Sequence, residues 1–349
     1  MKQTANHILL VKPKRFFSNP ETAVNNYFQE GNQGGDLDQA SSKALLEFDG
    51  FEKMLFEAGV KVTVWDAENA DTPDALFPNN WIVTGGGKNL YLMPMYAENR
   101  RKERSEKLVK HLRQSCGYGE IIDFSHFEKE GKYFEGTGSA VIHWPSKTAY
   151  IARSERSDEK TAESICASMG LRPFFFSAYQ TVEEASHTAK NGVSEEASEK
   201  VRQGTSHVFA KVSSSQDEEV TNGEVKEFTR KLIYHTNVVM SIGDGFVVAC
   251  LSAIDDEEER SNLVRSFEER SLEIIEIDER QMENFCGNIL QVETLKGEKM
   301  TVMSKRAYQA FDAGQLSRLS NYGKVIHAPL TVIEKLGGGG ARCMMAELF

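Results

Sequence analysis

Three side chains of the types used in covalent acid–base catalysis stand beside Gly-containing or polar turns at the mouths of apolar runs. Cys343 follows four successive glycines, Gly337 to Gly340, in LGGGGARCMMAELF. Glycine carries no Cβ, so the run admits close backbone approach and unusual φ. A thiol at the mouth of the next strand is placed as a nucleophile if something lowers its pKa; the alternative is a core cysteine behind a flexible loop. His235, in IYHTNVVM, can act as general acid or base near neutral pH, or be a structural histidine. Glu135, in KYFEGTGSAV, can orient an imidazole, or simply shape a turn. The remaining seven histidines show no HExxH spacing, and the five cysteines show no CxxC. An odd, scattered set of thiols is neither a disulfide framework nor a zinc site. Cys116, Cys166 and Cys250 read as structural, and Cys286, before Gly287-Asn288, stays open. No metal and no cofactor are expected.

What must position these residues is a repeat. Four stretches share one layout: apolar strand, turn, second strand, amphipathic helix, third strand. The first runs from Asn80 through WIVTGGGKNLYLMPM, a helix in NRRKERSEKLVKHLRQ and EIIDF. The second holds AVIHWPSKTAYIAR, DEKTAESICASMG and RPFFFSA; the third VVMSIGDGFVVACLSA, DDEEERSNLVRSFEER and LEIIEID. The fourth has NILQVETLKGEKMTVMS, a helix from Lys305 to Asn321 and KVIHAPL. Most of the helices open with Asp, Asn or Ser, which cap free N–H groups. First strands begin at Trp81, Ala140, Val238 and Ile289, so the gap between the second and third units is long. Residues 181–231 fill it, rich in Glu, Ser, Lys and Thr, and are expected to be a solvated, mobile insertion.

The termini supply a fifth unit: ARCMMAELF with HILLVKP, a helix around SKALLEFDGFEKMLFEAG, and KVTVWD. Pairing them closes the ring without an exposed edge. The expected fold is α/β, a five-bladed propeller in one domain spanning 1–349. By repeat symmetry Asn80, Gly138-Ser139, His235 and Asn288 line one central channel, so Glu135, His235 and Cys343 converge at strand entrances.

Composition narrows the partners. The 349 residues are 40% hydrophobic and 27% charged, with 41 basic and 52 acidic side chains giving −11. The apolar share supports a sizeable core, and the length allows two domains or one large α/β unit. The charge argues against nucleic acid and anionic membranes. No apolar run approaches the ~20 residues of a bilayer span, and the start has too short an apolar stretch for a signal peptide. A cytoplasmic protein acting on a small molecule is expected, and a homodimer stays open.

At these residues the chain resembles the guanidino-group-modifying pentein superfamily, which holds arginine deiminases, amidinotransferases and dimethylarginine hydrolases. It is most similar to a bacterial branch of citrulline-utilisation hydrolases. The stretches that carry the resemblance are ILLVKPKRFFSNPETAVNNYFQ, LFPNNWIV, MYAENRRKER, FEGTGS, YHTNVVMSIGD, AIDDEEER, CGNILQV and GGGGARCMMAELF. The resemblance implies a five-bladed propeller in which Cys343 attacks the central carbon of a guanidinium or ureido group. His235 would then protonate the departing amine and activate water, and Glu135 would orient His235. It also implies that Arg100 and Arg156 hold a substrate carboxylate and that Asp74 contacts the reacting group. Where relatives carry Asp, this chain has Asn80 and Asn237. An amide donates as well as accepts, which favours a neutral ureido group such as citrulline over arginine. Arginine deiminase, dimethylarginine hydrolase and amidinotransferase remain open, as does a non-catalytic pentein binding factor.

Overall fold

The computed structural model describes residues 1–31, 36–184, 218–221 and 224–349. They fall into two units, Met1–Ala178 with Leu232–Phe349, and Tyr179–Lys231. In the larger unit the same three-stranded sheet occurs five times, an antiparallel pair followed by a parallel third strand. Ile82–Gly85, Asn89–Leu92 and Ile121–Asp123 form the first sheet. Ala140–His143, Thr148–Ala152 and Arg172–Phe176 form the second. Met240–Ile242, Phe246–Ala249 and Glu273–Glu276 form the third, and Leu290–Glu293, Lys299–Ser304 and Lys324–Ala328 the fourth. The termini meet in the fifth: Ala346–Glu347 pairs antiparallel with His7–Lys12, which runs parallel to Lys61–Asp66.

A parallel pair needs a crossover, and helices supply it. Leu37–Glu57, Glu106–Cys116, Glu159–Ser168 and Glu257–Glu268 each span the step from second to third strand. Each opens on a capping side chain: Asp36, Ser105, Asp158 or Asp256. Their apolar stripes are buried, as with Leu108, Val109 and Leu112 beside Trp81, Ile82 and Leu90. Each such leucine contributes about 2 kcal/mol by leaving water.

Two helices are shorter than the sequence pattern predicts. The one expected from Asn99 splits into Glu98–Arg101 and Glu106–Cys116, because Ser105 caps the second piece and Arg100 and Arg104 turn onto carboxylates. The fourth unit's helix splits into Lys305–Ala310 and Ala313–Ser320 at the Asp312 capping box. The second unit's first strand begins at Ala140 as expected, and the other three begin one or two residues late, at Ile82, Met240 and Leu290. Single helical turns, Pro78–Asn80, Gly136–Ser139 and Thr236–Val239, precede three of the four and aim the polar residues there inward.

The described residues of the segment expected to be a solvated, mobile insertion carry strands. Tyr179–Glu184, Glu218–Thr221 and Glu224–Leu232 form one sheet, the last two an antiparallel hairpin. The β-branched and aromatic residues in TVEE, EEVT and EVKEFTRKL make them strand formers despite the charge. The expected mobility falls on 185–217 and 222–223, outside the described residues. Among the described residues no helix is long and apolar enough to cross a membrane.

In the larger unit the backbone of Ile233 donates to the Ala178 carbonyl at 2.9 Å, so its two chain ends already meet. Replacing 179–231 by a short Gly-Ser linker is therefore expected to leave a cooperatively folded protein. Thermal melting followed by circular dichroism checks this; loss of the cooperative transition would contradict it.

Candidate active site

The single turns ahead of the strands hold the acid–base pair. Glu135 is the N-cap residue of Gly136–Ser139, and His235 that of Thr236–Val239. The turns pack together: the Thr236 hydroxyl donates to the Ser139 carbonyl at 2.5 Å. Between them only glycine fits at 138. A Cβ there would lie 2.5 Å from Asn80 Nδ2 and 2.9 Å from His235 Nδ1.

Glu135 Oε2 lies 2.8 Å from His235 Nε2, and Oε1 accepts from the Tyr96 N–H at 3.0 Å. Both side chains are buried. Burial opposes ionisation of Glu135, but the Arg156 guanidinium 3.4 Å away, the bond to His235 and the charge of Arg100 outweigh it and hold the carboxyl well below its usual range. Burial pushes His235 down to about 4, with Glu135 pulling the other way. Near pH 7 the imidazole is therefore neutral. An ionised carboxylate only accepts, so Nε2 carries the proton and Nδ1 is left bare on the Gly138 side.

Cys343 sits in a turn just beyond the tetraglycine run and is 4% exposed. Asn288 Nδ2 donates to its sulfur at 3.2 Å, and Asn237 Nδ2 reaches it at 3.6 Å. Burial raises the thiol's pKa, while Asn288 and the charge of Arg342 oppose the rise. At rest the pair is a neutral thiol and a neutral imidazole. Burial raises Cys166 to about 12 and Cys250 to about 11 and also raises Cys286, so these three are less acidic than an ordinary thiol.

The sequence places Asn288 only in the channel lining; the structure gives it a larger part. Its Oδ1 accepts from the Arg342 N–H at 3.1 Å and from the Cys343 N–H at 3.4 Å. Its Nδ2 donates to the Asn237 carbonyl at 2.9 Å and to the sulfur. All four of its hydrogen-bonding positions are used, which fixes the amide's orientation with a donor on Sγ.

Asp74, Asn80, Arg100 and Arg156 come together in the same interior. Asp74 Oδ2 accepts from Asn19 Nδ2 at 2.7 Å and from the Thr22 hydroxyl at 3.2 Å, while Oδ1 is buried without a partner. Asn80 Oδ1 accepts from Arg100 Nη1 at 2.7 Å, and its Nδ2 is buried without a partner. Arg100 grips Glu103 with Nε and Nη2 at 2.9 and 3.0 Å and also reaches the Phe77 carbonyl. Arg156 contacts Glu135, the Thr22 carbonyl at 3.0 Å and Asn25. Buried guanidiniums must be paired, and here the nearest acceptors of both arginines belong to the chain, so a substrate carboxylate would compete with them. Asn237 lies against Cys343 and the Thr137 carbonyl.

The sequence assigns no site role to Glu103 or to the segment Asn19–Gln29, although both lie in stretches that carry the resemblance. Burial pushes Glu103 up to about 7 and raises Asp74 as well, against the pull of Arg100. Asn26 donates to the Gly337 carbonyl at 3.2 Å, so this segment touches Asp74, Arg156 and the tetraglycine run. Its density of Asn and Gln, beside its place in the resemblance, is a signal that could have found it. Among the described residues no group of three His, Cys, Asp or Glu is placed to hold a metal ion.

A site of this design, Cys, His and Glu on the entrances of repeated α/β units, defines the guanidino-modifying pentein class. More narrowly, residues 12–191 and 200–349 match the family model for eukaryotic N,N dimethylarginine dimethylhydrolase, and the chain belongs to that family. No curated protein matches. Among solved structures, apo ArgZ, an arginine dihydrolase from the ornithine-ammonia cycle in cyanobacteria, superposes with TM-score 0.65 at 16% identity. The match covers 98% of this chain and 40% of ArgZ, so the chain spans about two fifths of that protein's length. Unliganded AgrE gives TM-score 0.64 at 18% identity over 98% of this chain and 39% of its own. A dimethylarginine dimethylaminohydrolase variant, as its adduct with S-methyl-L-thiocitrulline, gives 0.56 at 15% over 98% and 99%. At these identities the likeness is one of fold.

The Asn288 amide predicts a measurable effect on the thiol. In Asn288→Ala the pH profile of Cys343 alkylation by iodoacetamide, read by peptide mapping, should move to higher pH. The rate at pH 7.5 should fall about 10-fold, the size of one lost bond to a charged group. An unchanged profile would show that Asn288 does not stabilise the thiolate.

Proposed function

We propose that the protein hydrolyses a C–N bond of a small ureido amino acid, citrulline-like, through a covalent intermediate on Cys343. One observation carries the choice of substrate. Arg100 fixes the Asn80 amide so that its Nδ2, a buried donor with no partner, lies across Gly138 from His235 Nδ1. A donor suits a carbonyl oxygen; a guanidinium presents only N–H groups to it. The orphaned Asp74 Oδ1 complements the same substrate by accepting from its nitrogen.

The chemistry follows from the resting protonation states. The Cys343 proton passes to His235 Nδ1 as sulfur attacks the ureido carbon, and Asn80 Nδ2 donates to the oxygen that gains charge. His235 returns the proton to the departing amine nitrogen as the C–N bond breaks, leaving a carbamoyl group on sulfur. Water, deprotonated by His235, then attacks the carbonyl carbon and expels the thiolate, which regains its proton from His235. The carbamic acid released decays to ammonia and carbon dioxide. Glu135 keeps Nε2 protonated throughout. The thiol needs no activation before substrate binds, so slow labelling of Cys343 at neutral pH is consistent with catalysis.

A guanidino substrate is the second reading, since two buried arginines face three buried carboxyls, Asp74, Glu103 and Glu135, leaving a surplus of acid. Arginine deiminase, dimethylarginine hydrolase and amidinotransferase activity all fall within it. A non-catalytic binding factor would have no use for the Cys–His–Glu set. We further infer that the five sheets close into a propeller, which the pairing of Ile8 with Glu347 supports. The −11 charge supports a small-molecule partner over nucleic acid.

A panel of citrulline, arginine, methylarginines and agmatine, read for ammonia and amine products, tests the proposal. Citrulline should be the best substrate, and Cys343→Ser should abolish turnover. Asn80→Asp with Asn237→Asp should raise the ratio of guanidino to ureido kcat/KM by about 10-fold or more, as expected for replacing an amide donor by a carboxylate beside a cation. A preference for arginine in the parent protein, or an unmoved ratio in the variant, would remove the ureido reading.

A further inference from the structure

Tyr234 is a buried residue that neither the catalytic set nor the substrate contacts use. Its hydroxyl donates to the Gly338 carbonyl at 2.7 Å. Gly338 is the second of the four glycines, and its φ of +63° puts it in the left-handed region. A Cβ there would lie 2.5 Å from Asn26 Nδ2, so position and conformation both demand glycine. Between helix Thr331–Gly337 and Cys343, residues 338–340 are all glycine, whose free backbone does not define one path, and only Ala341 and Arg342 follow. Side chains therefore have to define it. Asn26 bonds the Gly337 carbonyl, Tyr234 bonds the Gly338 carbonyl, and Asn288 receives the N–H groups of Arg342 and Cys343.

The other faces of Tyr234 touch the acid–base half of the site. The Arg156 guanidinium lies 4.8 Å from the ring centroid, the arrangement of a cation–π contact. Arg156 in turn holds Glu135, and Glu135 holds His235. Phe28 meets the ring edge-on at 6.3 Å. The Tyr234 carbonyl accepts from the Ser154 hydroxyl at 2.8 Å, which fixes the backbone next to His235. One side chain thus joins the nucleophile's loop to the pair that must exchange a proton with it.

We propose that Tyr234 is a positioning residue that holds Cys343 in register with His235 by clamping the Gly338 carbonyl. The proposal rests on Cys343 and His235 acting together as described above. Proton transfer and attack need near-contact geometry, so a small shift of the glycine run lowers the rate of the chemical step and leaves substrate contacts on Asp74 and Asn80 in place.

Tyr234→Phe keeps the ring over Arg156 and removes only the hydroxyl. Tyr118→Phe serves as control, because the Tyr118 hydroxyl bonds the Phe349 carbonyl at 3.0 Å, at a buried place that carries none of the site residues. In the full chain, Tyr234→Phe should lower kcat about 10-fold with KM within about twofold, the signature of a lost transition-state alignment. Alkylation of Cys343 by iodoacetamide, followed by peptide mapping, should become faster as the loop loosens. Tyr118→Phe should change neither. The proposal is overturned if Tyr234→Phe matches the parent in kcat and alkylation, or if both variants lose kcat equally. Should the parent protein turn over no ureido or guanidino compound, the functional reading fails, and the alkylation rates alone decide the clamp.

Discussion

The contact between Arg156 and Glu135 governs the interior. Burial alone would protonate Glu135, and a neutral carboxyl would not hold the proton of His235 on Nε2. The guanidinium 3.4 Å away reverses that, and it is itself held by the Thr22 carbonyl, Asn25 and the rings of Tyr96 and Tyr234. Removing one partner of a buried ion pair strands the other at a cost of about 3–5 kcal/mol. The tautomer of His235, and with it the direction of the proposed proton transfers, depends on this pair.

The repeat explains how such a set can be assembled. Each unit packs an antiparallel pair and a parallel third strand under a crossover helix, so its apolar residues need only its neighbours. Single helical turns ahead of three first strands leave their capping positions free to face inward. Glu135 and His235 are 100 residues apart in sequence, yet occupy the same place in successive units. Cys343 arrives from the terminal unit, where the strand Ala346–Glu347 is completed by His7–Lys12.

The proposed substrate recognition rests on which polar atoms are already used. Arg100 bonds Glu103, Asn80 and backbone carbonyls, which fixes the Asn80 amide. Arg156 is committed to Glu135 and to the Asn19–Gln29 segment. Among the described residues, the buried atoms left unpaired here include Asp74 Oδ1 and Asn79 Oδ1, which accept, and Asn80 Nδ2, which donates. The amides of Asn237 and Asn288 are turned toward the sulfur instead.

Local pattern carried much of this. Alternating apolar runs, turn glycines and capping residues located the strands and most helices of all five units, because those signals act over a few residues. Glycine before Cys343 and the repeated strand entrances singled out Cys343, His235 and Glu135 for the same reason. The partners of Arg100 and Arg156 were not legible, since nothing local tells a buried guanidinium which distant carboxyl will face it. The Asn19–Gln29 segment lies between a strand and a helix, and only packing brings it onto Asp74 and Gly337. Hydrophobic period and turn chemistry are properties of neighbouring residues and can be read in order along the chain. Charge pairing, the orientation of an amide and the tautomer of an imidazole are decided by groups that become neighbours only when the units pack.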